Sequence, residues 1–411
     1  MKMKFWKAGA FMMALTLATA CSDDDPKISD VSITCNAPQD VTVKSIQNVK
    51  VVLNDISTGE AKEFTFATVE GPLTMQVTEG LYNVELEGDI TYTLNGVDVT
   101  SKIRGSKENV QIVGTFSLTL DTYFHSVKDG FVIAEIFCSK TENEQGKNYN
   151  GGDSYFRIYN NSDETLYADG LCIFESDFQT NMQREYTPNI MNQAVTVSTG
   201  YMIPGTGKEH PVEPGKSLLI CDNAVNHKEK NPNSFDLSSA DFEWFAESSN
   251  PKVQDTDNPS VPNLVQIVKK SLTLWQPHVA GVKAYVLAYL SDENGQMTPA
   301  NYVANYHYDY TYLLVWDSGS KEMKGDAYML PNIWVKDAVN MSPEQDKQWL
   351  VTAPSLDKGF TFVATTSSDP ARLGKSVRRK VDAKTGKLVD TNNSSEDFEH
   401  QATADPFHVF K

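Results

Sequence analysis

Residues 130–136 read GFVIAEI, a short apolar run rich in β-branched and aromatic side chains. A run of this length that begins at a turn residue is typical of a buried β-strand. Three similar runs follow at residues 154–161 (SYFRIYNN), 166–174 (LYADGLCIF) and 212–220 (VEPGKSLLI), in which ADG and EPG mark turns. These four segments predict an all-β fold for the larger part of the chain.

Together the four strands resemble the lamin-tail domain, whose pattern runs I-x-E-I, E-I-Y-N, L-x-G-W and L-x-P-G. The resemblance implies an immunoglobulin-like β-sandwich with long loop insertions over residues 126–411. Its core pattern covers about residues 128–222 and is interrupted by an insertion at about residues 175–201. Arg157 stands where that family has an acid, and Leu171-Cys172 replaces the tryptophan step, so roles tied to those positions do not carry over.

Residues 29–122 contain shorter runs of β-branched and aromatic residues, separated by the turn signals STGE (57–60), EG (79–80) and NG (95–96). The runs lie at residues 41–43, 49–53, 64–66, 73–77, 82–86 and 116–120. They predict a first β-sandwich. Within it, VTEGLYNV (77–84) resembles a hairpin of carboxypeptidase-regulatory-like and transthyretin-like modules, which implies a spacer or stabilising module with Tyr82 directed into the core.

Several later stretches, among them PNIWVKDAV (331–339) and KSVRRK (375–380), resemble a Bacteroides-group surface lipoprotein family of unknown function. With the two modules above, the resemblance covers nearly all of the chain after residue 20. It implies no reaction.

The N-terminus has the features of a signal peptide: lysines at positions 2, 4 and 7, then an apolar run to residue 20 that is short for a membrane span. Small residues before Cys21 fit a lipoprotein signal peptidase, so we expect Cys21 to become the acylated first residue. The tether at residues 21–28 contains SDDDP (22–26) and resembles that of surface-displayed lipoproteins of the Bacteroides group. This implies a lipid anchor in the outer membrane with the protein facing the cell exterior; the alternative is an ordinary secreted protein.

The chain has 411 residues and a net charge of −18. Because residues 1–20 hold three lysines and no acidic residue, their removal leaves 391 residues with a net charge of −21. This charge disfavours nucleic acids and bare anionic membranes as electrostatic partners.

Besides Cys21, the cysteines are Cys35, Cys138, Cys172 and Cys221. The last three lie in apolar strand-like runs, where a thiol behaves as a small hydrophobic group, so we predict buried free thiols. A disulfide between Cys172 and Cys221 is the alternative.

The sequence has no G-x-S-x-G or H-E-x-x-H motif, and its seven histidines are scattered. The stretch GTGKE (205–209) is not a P-loop, because Met202 replaces the first glycine and Glu209 replaces Ser or Thr. We therefore predict that the protein is not an enzyme and has no resident cofactor, although a catalytic triad can assemble without a local motif.

An acidic loop region supplies oxygen ligands that suit calcium, in Asp222, Asp236, Asp241, Asp255 and Asp257. The alternative is a solvated acidic loop, in which Asp236 caps a turn.

The strongest local pattern is YHYDYTY (306–312), which leads to Trp316. On a strand, alternate side chains share a face, so Tyr306, Tyr308, Tyr310 and Tyr312 are predicted to lie side by side. With Trp316 they are the candidate ligand-binding residues, because such a face can stack on flat rings such as sugars. The alternative is packing against a neighbouring sheet.

A dense basic cluster is formed by Lys375, Arg378, Arg379 and Lys380. Such a cluster can lie on a solvated strand, can pair internally with nearby acidic residues, or can contact an anionic partner surface.

These features predict a cell-surface lipoprotein that binds a ligand or assists an outer-membrane, TonB-dependent type of transporter in nutrient or metal uptake. The first alternative is a structural or adhesive surface protein. The second is a metal-dependent hydrolase, which requires histidines and carboxylates converging in a deep pocket.

Overall fold

A computed structural model of the protein describes residues 27–38, 42–94, 97–125, 130–291, 297–316 and 318–411. The signal peptide, Cys21, the SDDDP run and the NG turn lie outside these residues. Strands dominate the described chain, so the all-β prediction is confirmed. Its helices are all too short or too polar to cross a membrane.

The first β-sandwich packs a three-stranded sheet, in the order β4-β1-β7, on a five-stranded sheet, in the order β3-β2-β5-β6-β8. Its strands are β1 (Ile28–Asn36), β2 (Thr42–Asp55), β3 (Ala61–Thr68), β4 (Leu73–Thr78), β5 (Gly80–Leu94), β6 (Val97–Ile112), β7 (Phe116–Asp121) and β8 (Tyr123–His125). Alternation forms the core: in β4, Leu73, Met75 and Val77 are buried while Thr74 and Gln76 are exposed.

The predicted core position of Tyr82 agrees with the structure. The side chain is buried, and its hydroxyl donates a hydrogen bond of 2.8 Å to the Thr78 carbonyl. Strands β1 and β6 are absent from the sequence-based assignment, because polar residues interrupt their apolar pattern.

The second sandwich follows from residue 131 onward. Its elements are β9 (Phe131–Phe137), β10 (Tyr155–Asn160), β11 (Leu166–Tyr167), β12 (Leu171–Ser176), β13 (Tyr186–Thr187), β14 (Ala194–Met202), β15 (Pro211–Val212), β16 (Ser217–Cys221), β17 (Phe242–Glu243), β18 (Val265–Lys269), β19 (Ala284–Tyr289), α1 (Pro299–Asn305), β20 (His307–Trp316), β21 (Gly319–Pro331), β22 (Val335–Asn340), β23 (Lys375–Arg379), α2 (Ser394–Asp397) and β24 (Phe398–Thr403). Short 3-10 helices lie at His227–Glu229, Asn332–Trp334 and Pro370–Arg372.

Two large sheets form this sandwich. One has the order β17-β16-β10-β9-β23-β24, and the other has the order β13-β20-β21-β14-β12-β19-β22, with β18 also paired to β14. All seven residues of β9 are buried, because β9 lies inside its sheet and is covered on both faces. Between the sheets, the Phe156 ring lies 5.1 Å from Tyr285 and 6.0 Å from Trp275, measured between ring centroids.

The predicted insertion at residues 175–201 contains a central strand. Strand β14 pairs with β12, β18 and β21, and eight of its nine residues are buried. This segment therefore completes the second sheet. It also supplies residues of a candidate ligand-binding groove.

The prediction of buried free thiols is confirmed for Cys138, Cys172 and Cys221, and Cys35 is a half-buried free thiol. Cys172 and Cys221 belong to different hydrophobic clusters and form no disulfide. Burial raises the pKa of Cys138 and of Cys172 to about 12, so both stay protonated and inert at neutral pH.

Candidate ligand-binding groove

Strands β13, β20 and β21 bring distant aromatic residues together at one end of the larger sheet. Tyr186 of β13 pairs with Tyr312 of β20, and Tyr310 pairs with Gly325 of β21. Because alternate residues of β20 share a face, Tyr308, Tyr310 and Tyr312 all point to the same side of the sheet. This part of the ladder follows the sequence prediction.

The rings form a compact cluster. Phe178 and Tyr186 stack with centroids 3.6 Å apart, and Tyr310 meets both of them edge-on at 5.2 Å. The Trp349 ring lies 5.9 Å from Phe178 and 5.9 Å from Tyr186. The edge-to-face contacts of Tyr310 stabilise such aromatic pairs beyond the area that they bury.

Hydrogen bonds fix the orientation of these rings. The Tyr308 hydroxyl donates to the Pro188 carbonyl at 2.5 Å, and the Tyr310 hydroxyl donates to Asp177 Oδ2 at 2.8 Å. The Trp349 Nε1–H donates to the Gln179 carbonyl at 2.7 Å. Fixed side chains lose little conformational entropy when a ligand binds, so the cluster is preorganised.

Beside the cluster lies a groove of about 470 Å³, within the range of small-molecule sites. Tyr186 and Trp349 are half-buried at its wall, and polar side chains complete its lining. The polar lining residues are Gln183, Arg184, Glu185, Asn189 and Thr196. The Arg184 guanidinium lies 4.5 Å above the Tyr312 ring, a cation–π contact that holds it at the rim.

The tyrosine hydroxyls at and behind the groove wall are uncharged. Burial raises the pKa of Tyr186 to about 12 and raises the pKa values of Tyr308 and Tyr310. These phenols are therefore neutral at physiological pH. The lining holds one carboxylate, that of Glu185, and one guanidinium, that of Arg184.

Of the five predicted ligand-binding residues, Tyr308 lines the groove, whereas Tyr306, Tyr310, Tyr312 and Trp316 lie outside it. Tyr310 and Tyr312 pack in the ring cluster behind the wall. Tyr306 differs from the prediction because it follows α1 instead of entering β20, and its ring packs 5.5 Å from Tyr302 and 4.9 Å from Trp334. Trp316 lies at the tip of the β20–β21 hairpin, where it is 48% exposed.

Phe178, Tyr186 and Trp349 are not among the ligand-binding residues predicted from the sequence. These residues come from a loop, a two-residue strand and a second loop far along the chain, so no local spacing connects them. Their contacts with the tyrosine ladder exist only because β13 adds to the edge of β20.

The five predicted calcium ligands, Asp222, Asp236, Asp241, Asp255 and Asp257, do not form a site of three converging acidic groups. Their oxygen atoms mostly hold loops. Asp241 accepts the Leu219 N–H at 2.7 Å, and Asp255 accepts the Ala246 N–H at 2.8 Å. Asp236 accepts the Ser238 N–H and hydroxyl at 3.1 and 2.6 Å, the turn cap that the sequence suggested.

Among the described residues, one group of three side chains has ligand atoms within 4.8 Å of one another: Asp169, Glu209 and His210. Asp169 already accepts three backbone N–H groups, from Gly207, Glu209 and His210, at 2.9–3.1 Å. Burial acts to raise the pKa of Asp169, but these bonds outweigh it and leave the pKa below its usual value. The carboxylate thus shapes a turn.

The basic cluster is mostly directed inward. Arg379 is buried and binds Asp337 at 2.7 Å, Asp390 at 3.2 Å and Asp397 at 3.4 Å. Arg378 pairs with the buried Glu135 at 3.1 Å. These two arginines therefore act as internal partners for acids, one of the three alternatives from the sequence.

Comparisons with known proteins agree with this all-β architecture. Residues 213–405 match the model of DUF4876, a protein family of unknown function. The chain is also similar to the crystal structure of a DUF4876 family protein from Bacteroides thetaiotaomicron VPI-5482, with a TM-score of 0.55 and 23% identity over 93% of this chain and 98% of that chain. This similarity supports the fold.

Two other solved structures match weakly. A candidate adhesin from Bacteroides ovatus ATCC 8483 has a TM-score of 0.18 and 10% identity, over 77% of this chain and 88% of that chain. A candidate cell adhesion protein from Bacteroides eggerthii DSM 20697 has a TM-score of 0.18 and 9% identity, over 75% of this chain and 83% of that chain. No curated protein matches the chain.

Proposed function

We propose that the protein is a non-catalytic, cell-surface binding protein that holds a carbohydrate ring in the groove beside Tyr186 and Trp349. The observation that carries this proposal is the preorganised aromatic wall of a groove of about 470 Å³ with a polar rim. A sugar ring has an apolar face of C–H groups and a rim of hydroxyls. The groove offers the matching surfaces, with neutral aromatic rings on its wall and amide, carboxylate and guanidinium groups around it.

The cellular role in this proposal follows from the N-terminus. Acylation of Cys21 and the acidic tether would hold the protein on the outer face of the outer membrane, with the regulatory-like sandwich as a spacer and the lamin-tail-like sandwich as the binding part. In that position it would pass its ligand to a TonB-dependent type of transporter. Recovery of such a transporter with the protein from intact membranes supports this role, and unchanged uptake of every tested glycan after gene deletion contradicts it.

The binding proposal is tested with an array of oligosaccharides probed by the mature protein, followed by calorimetric titration of the best ligand. We expect Trp349→Ala to weaken binding by at least about tenfold, which corresponds to about 1.4 kcal/mol. Trp316→Ala is the matched control, because this tryptophan lies outside the groove. Equal affinity of the Trp349 variant and the wild-type protein would contradict the proposal.

A second candidate function is adhesion through the β20–β21 hairpin. Leu313 is 55% exposed, Val315 is 67% exposed and Trp316 is 48% exposed, which places three large apolar side chains in solvent at one tip. Adjacent exposed apolar residues often mark protein contacts. If adhesion is the function, Val315→Ser will reduce attachment of bacteria to host matrix proteins while Trp349→Ala leaves it unchanged.

A further inference from the structure

The lining of the aromatic groove carries one positive charge, the guanidinium of Arg184. Its Cζ atom lies 4.5 Å from the centre of the Tyr312 ring, and its Nη2 donates to the Met182 sulfur at 3.1 Å. The Tyr312 ring also lies 5.6 Å from the ring of Tyr186, which lines the groove. Arg184 and Tyr186 therefore contact the same ring and face the same groove.

No acidic side chain of the described residues neutralises this guanidinium. Its contacts there are the Met182 sulfur and the Tyr312 ring, and no carboxylate lies within ion-pair distance. By contrast, Arg378 and Arg379 bind carboxylates at 3.1 and 2.7 Å. A guanidinium has five N–H donors, and a thioether sulfur is a weak acceptor. Within the described chain, most donors of Arg184 are thus left for water or for a ligand.

The carboxylate of Glu185 also lines the groove and opposes this positive charge. Glu185 is exposed, and no hydrogen bond or ion pair with the described residues fixes its side chain. Arg184 is half-buried and is held by two contacts. Because water screens an exposed charge more than a half-buried one, Arg184 acts more strongly on a molecule in the groove.

The charge of Arg184 reaches the aromatic wall. Burial raises the pKa of Tyr186 to about 12, and the positive charge of Arg184 opposes this increase. A ligand that lies against the Tyr186 ring is therefore within the field of the guanidinium.

The chemistry of a lone guanidinium selects one kind of charged group. A carboxylate presents two coplanar oxygens, which match the planar fork of N–H donors in a bidentate pair. An amino group is repelled by the guanidinium. A phosphate carries a charge of about −1.5 to −2 at pH 7, and the lining offers a single cation to balance it. A sugar with one carboxylate thus fits the wall and the charge together.

We propose that the groove selects an acidic sugar, of the hexuronic acid class, by pairing the sugar carboxylate with Arg184 while the sugar ring lies against Tyr186 and Trp349. The inference rests on the proposed function, because it names the class of carbohydrate that the groove binds. The aromatic wall supplies a contact common to many sugars, and Arg184 determines which of them binds most tightly.

The test compares sugars that differ in one carboxylate. The mature protein is titrated by ligand-observed NMR with the methyl glycosides of galacturonate and galactose, of glucuronate and glucose, and with galactose 6-sulfate. We expect at least one uronate to bind about tenfold more tightly than its neutral counterpart, because charge-assisted hydrogen bonds are stronger than neutral ones. Arg184→Gln should abolish this preference. Arg184→Lys should retain part of it, since it keeps the charge but loses the fork.

Two variants are matched controls. Glu185→Gln changes the neighbouring residue of the lining, and we expect the preference for the uronate to persist or increase, because a like charge is removed. Lys324→Gln removes an exposed cation of β21 that lies outside the lining, so the preference should not change. Thermal melting of every variant verifies folding.

The inference is overturned if neutral sugars bind as tightly as their uronates, if Arg184→Gln keeps the wild-type preference, or if the sulfated sugar binds more tightly than every uronate. Trp349→Ala separates the two proposals. If neutral and acidic sugars bind equally and this variant weakens both, the groove is a carbohydrate site and the inference on Arg184 alone fails. If no sugar binds, or if Trp349→Ala leaves sugar binding unchanged, the proposed function fails and the inference fails with it.

Discussion

One buried arginine, Arg379, connects several elements of the second sandwich. The guanidinium of Arg379 bridges Asp337, Asp390 and Asp397, and its Nε–H donates to the Ile133 carbonyl at 2.9 Å. The charge of these acids raises the pKa of Arg379 against the effect of burial, so the cation is retained in the interior. It ties β9, β22 and β23 to the segment that leads into β24.

We predict that Arg379→Met lowers the free energy of unfolding by about 3–5 kcal/mol, because it leaves buried carboxylates without their counter-charge. Urea denaturation of the mature protein measures the change. Lys387→Met is the control: its partner Asp163, at 2.9 Å, is exposed, and such surface pairs contribute about 0–1 kcal/mol. Equal losses in the two variants would contradict this account of the network.

The burial of His227 makes the stability of the protein depend on pH. Burial lowers the pKa of its imidazole, whose ring nitrogens contact the Asn223 carbonyl at 2.9 Å and the Tyr149 hydroxyl at 3.3 Å. The unfolded chain takes up a proton near pH 6.5, where the folded imidazole is still neutral. The contribution of His227 to the free energy of unfolding is therefore complete above about pH 6.5. It is lost as the pH falls towards the pKa of the imidazole in the folded protein.

The corresponding measurement is an NMR titration of the His227 Cε1–H signal in folded and in urea-unfolded protein. We expect a midpoint in the folded protein below that of the unfolded protein. A folded midpoint equal to or higher than the unfolded one would show that the ring is not buried as described.

The β20–β21 hairpin positions the tyrosines that support the aromatic wall of the groove. The Tyr310 ring lies over Gly325, and a Cβ atom at position 325 would come within 2.5 Å of that ring. The ring cannot move away freely, because its hydroxyl binds Asp177 and its edge meets Phe178 and Tyr186. The glycine thus allows the tyrosine to cover the strand.

We predict that Gly325→Ala destabilises the protein by about 1–3 kcal/mol, the range for overpacked sites. It should also weaken oligosaccharide binding, since Tyr310 supports Tyr186. Gly71→Ala is the control, because a Cβ atom there meets no atom within 4 Å, and we expect a change below about 0.5 kcal/mol. Urea denaturation and calorimetric titration of both variants measure these effects. If the Gly325 variant is as stable as the Gly71 variant, the Tyr310 ring does not lie against Gly325 as described.

The sequence predicts elements better than it predicts the site. The apolar residues at 131–134 and 218–220 are contiguous, and they form parts of strands β9 and β16. The ladder of Tyr308, Tyr310 and Tyr312 follows from strand alternation alone. In contrast, the contacts of Phe178 and Trp349 with the tyrosine ladder depend on long-range strand pairing, which no local motif predicts.

For the whole molecule, the prediction with the largest consequence concerns Cys21. If acylation at this residue anchors the chain, Cys21→Ser will shift the protein from the membrane fraction to the soluble fraction. Cys35→Ser is the control, because this thiol lies in the first sandwich, away from the processing site. Fractionation with mass spectrometry of the N-terminus gives the result; membrane retention of the Cys21 variant would argue against a lipid anchor.

We propose that a carbohydrate ring lies in the groove beside Tyr186 and Trp349. The most direct test of this proposal is a crystal structure of the mature protein with the oligosaccharide that it binds most tightly. We expect density for a sugar ring within about 4 Å of both side chains, the distance of van der Waals contact. Density for the ligand at the hairpin tip or elsewhere, with the groove occupied only by solvent, would contradict it.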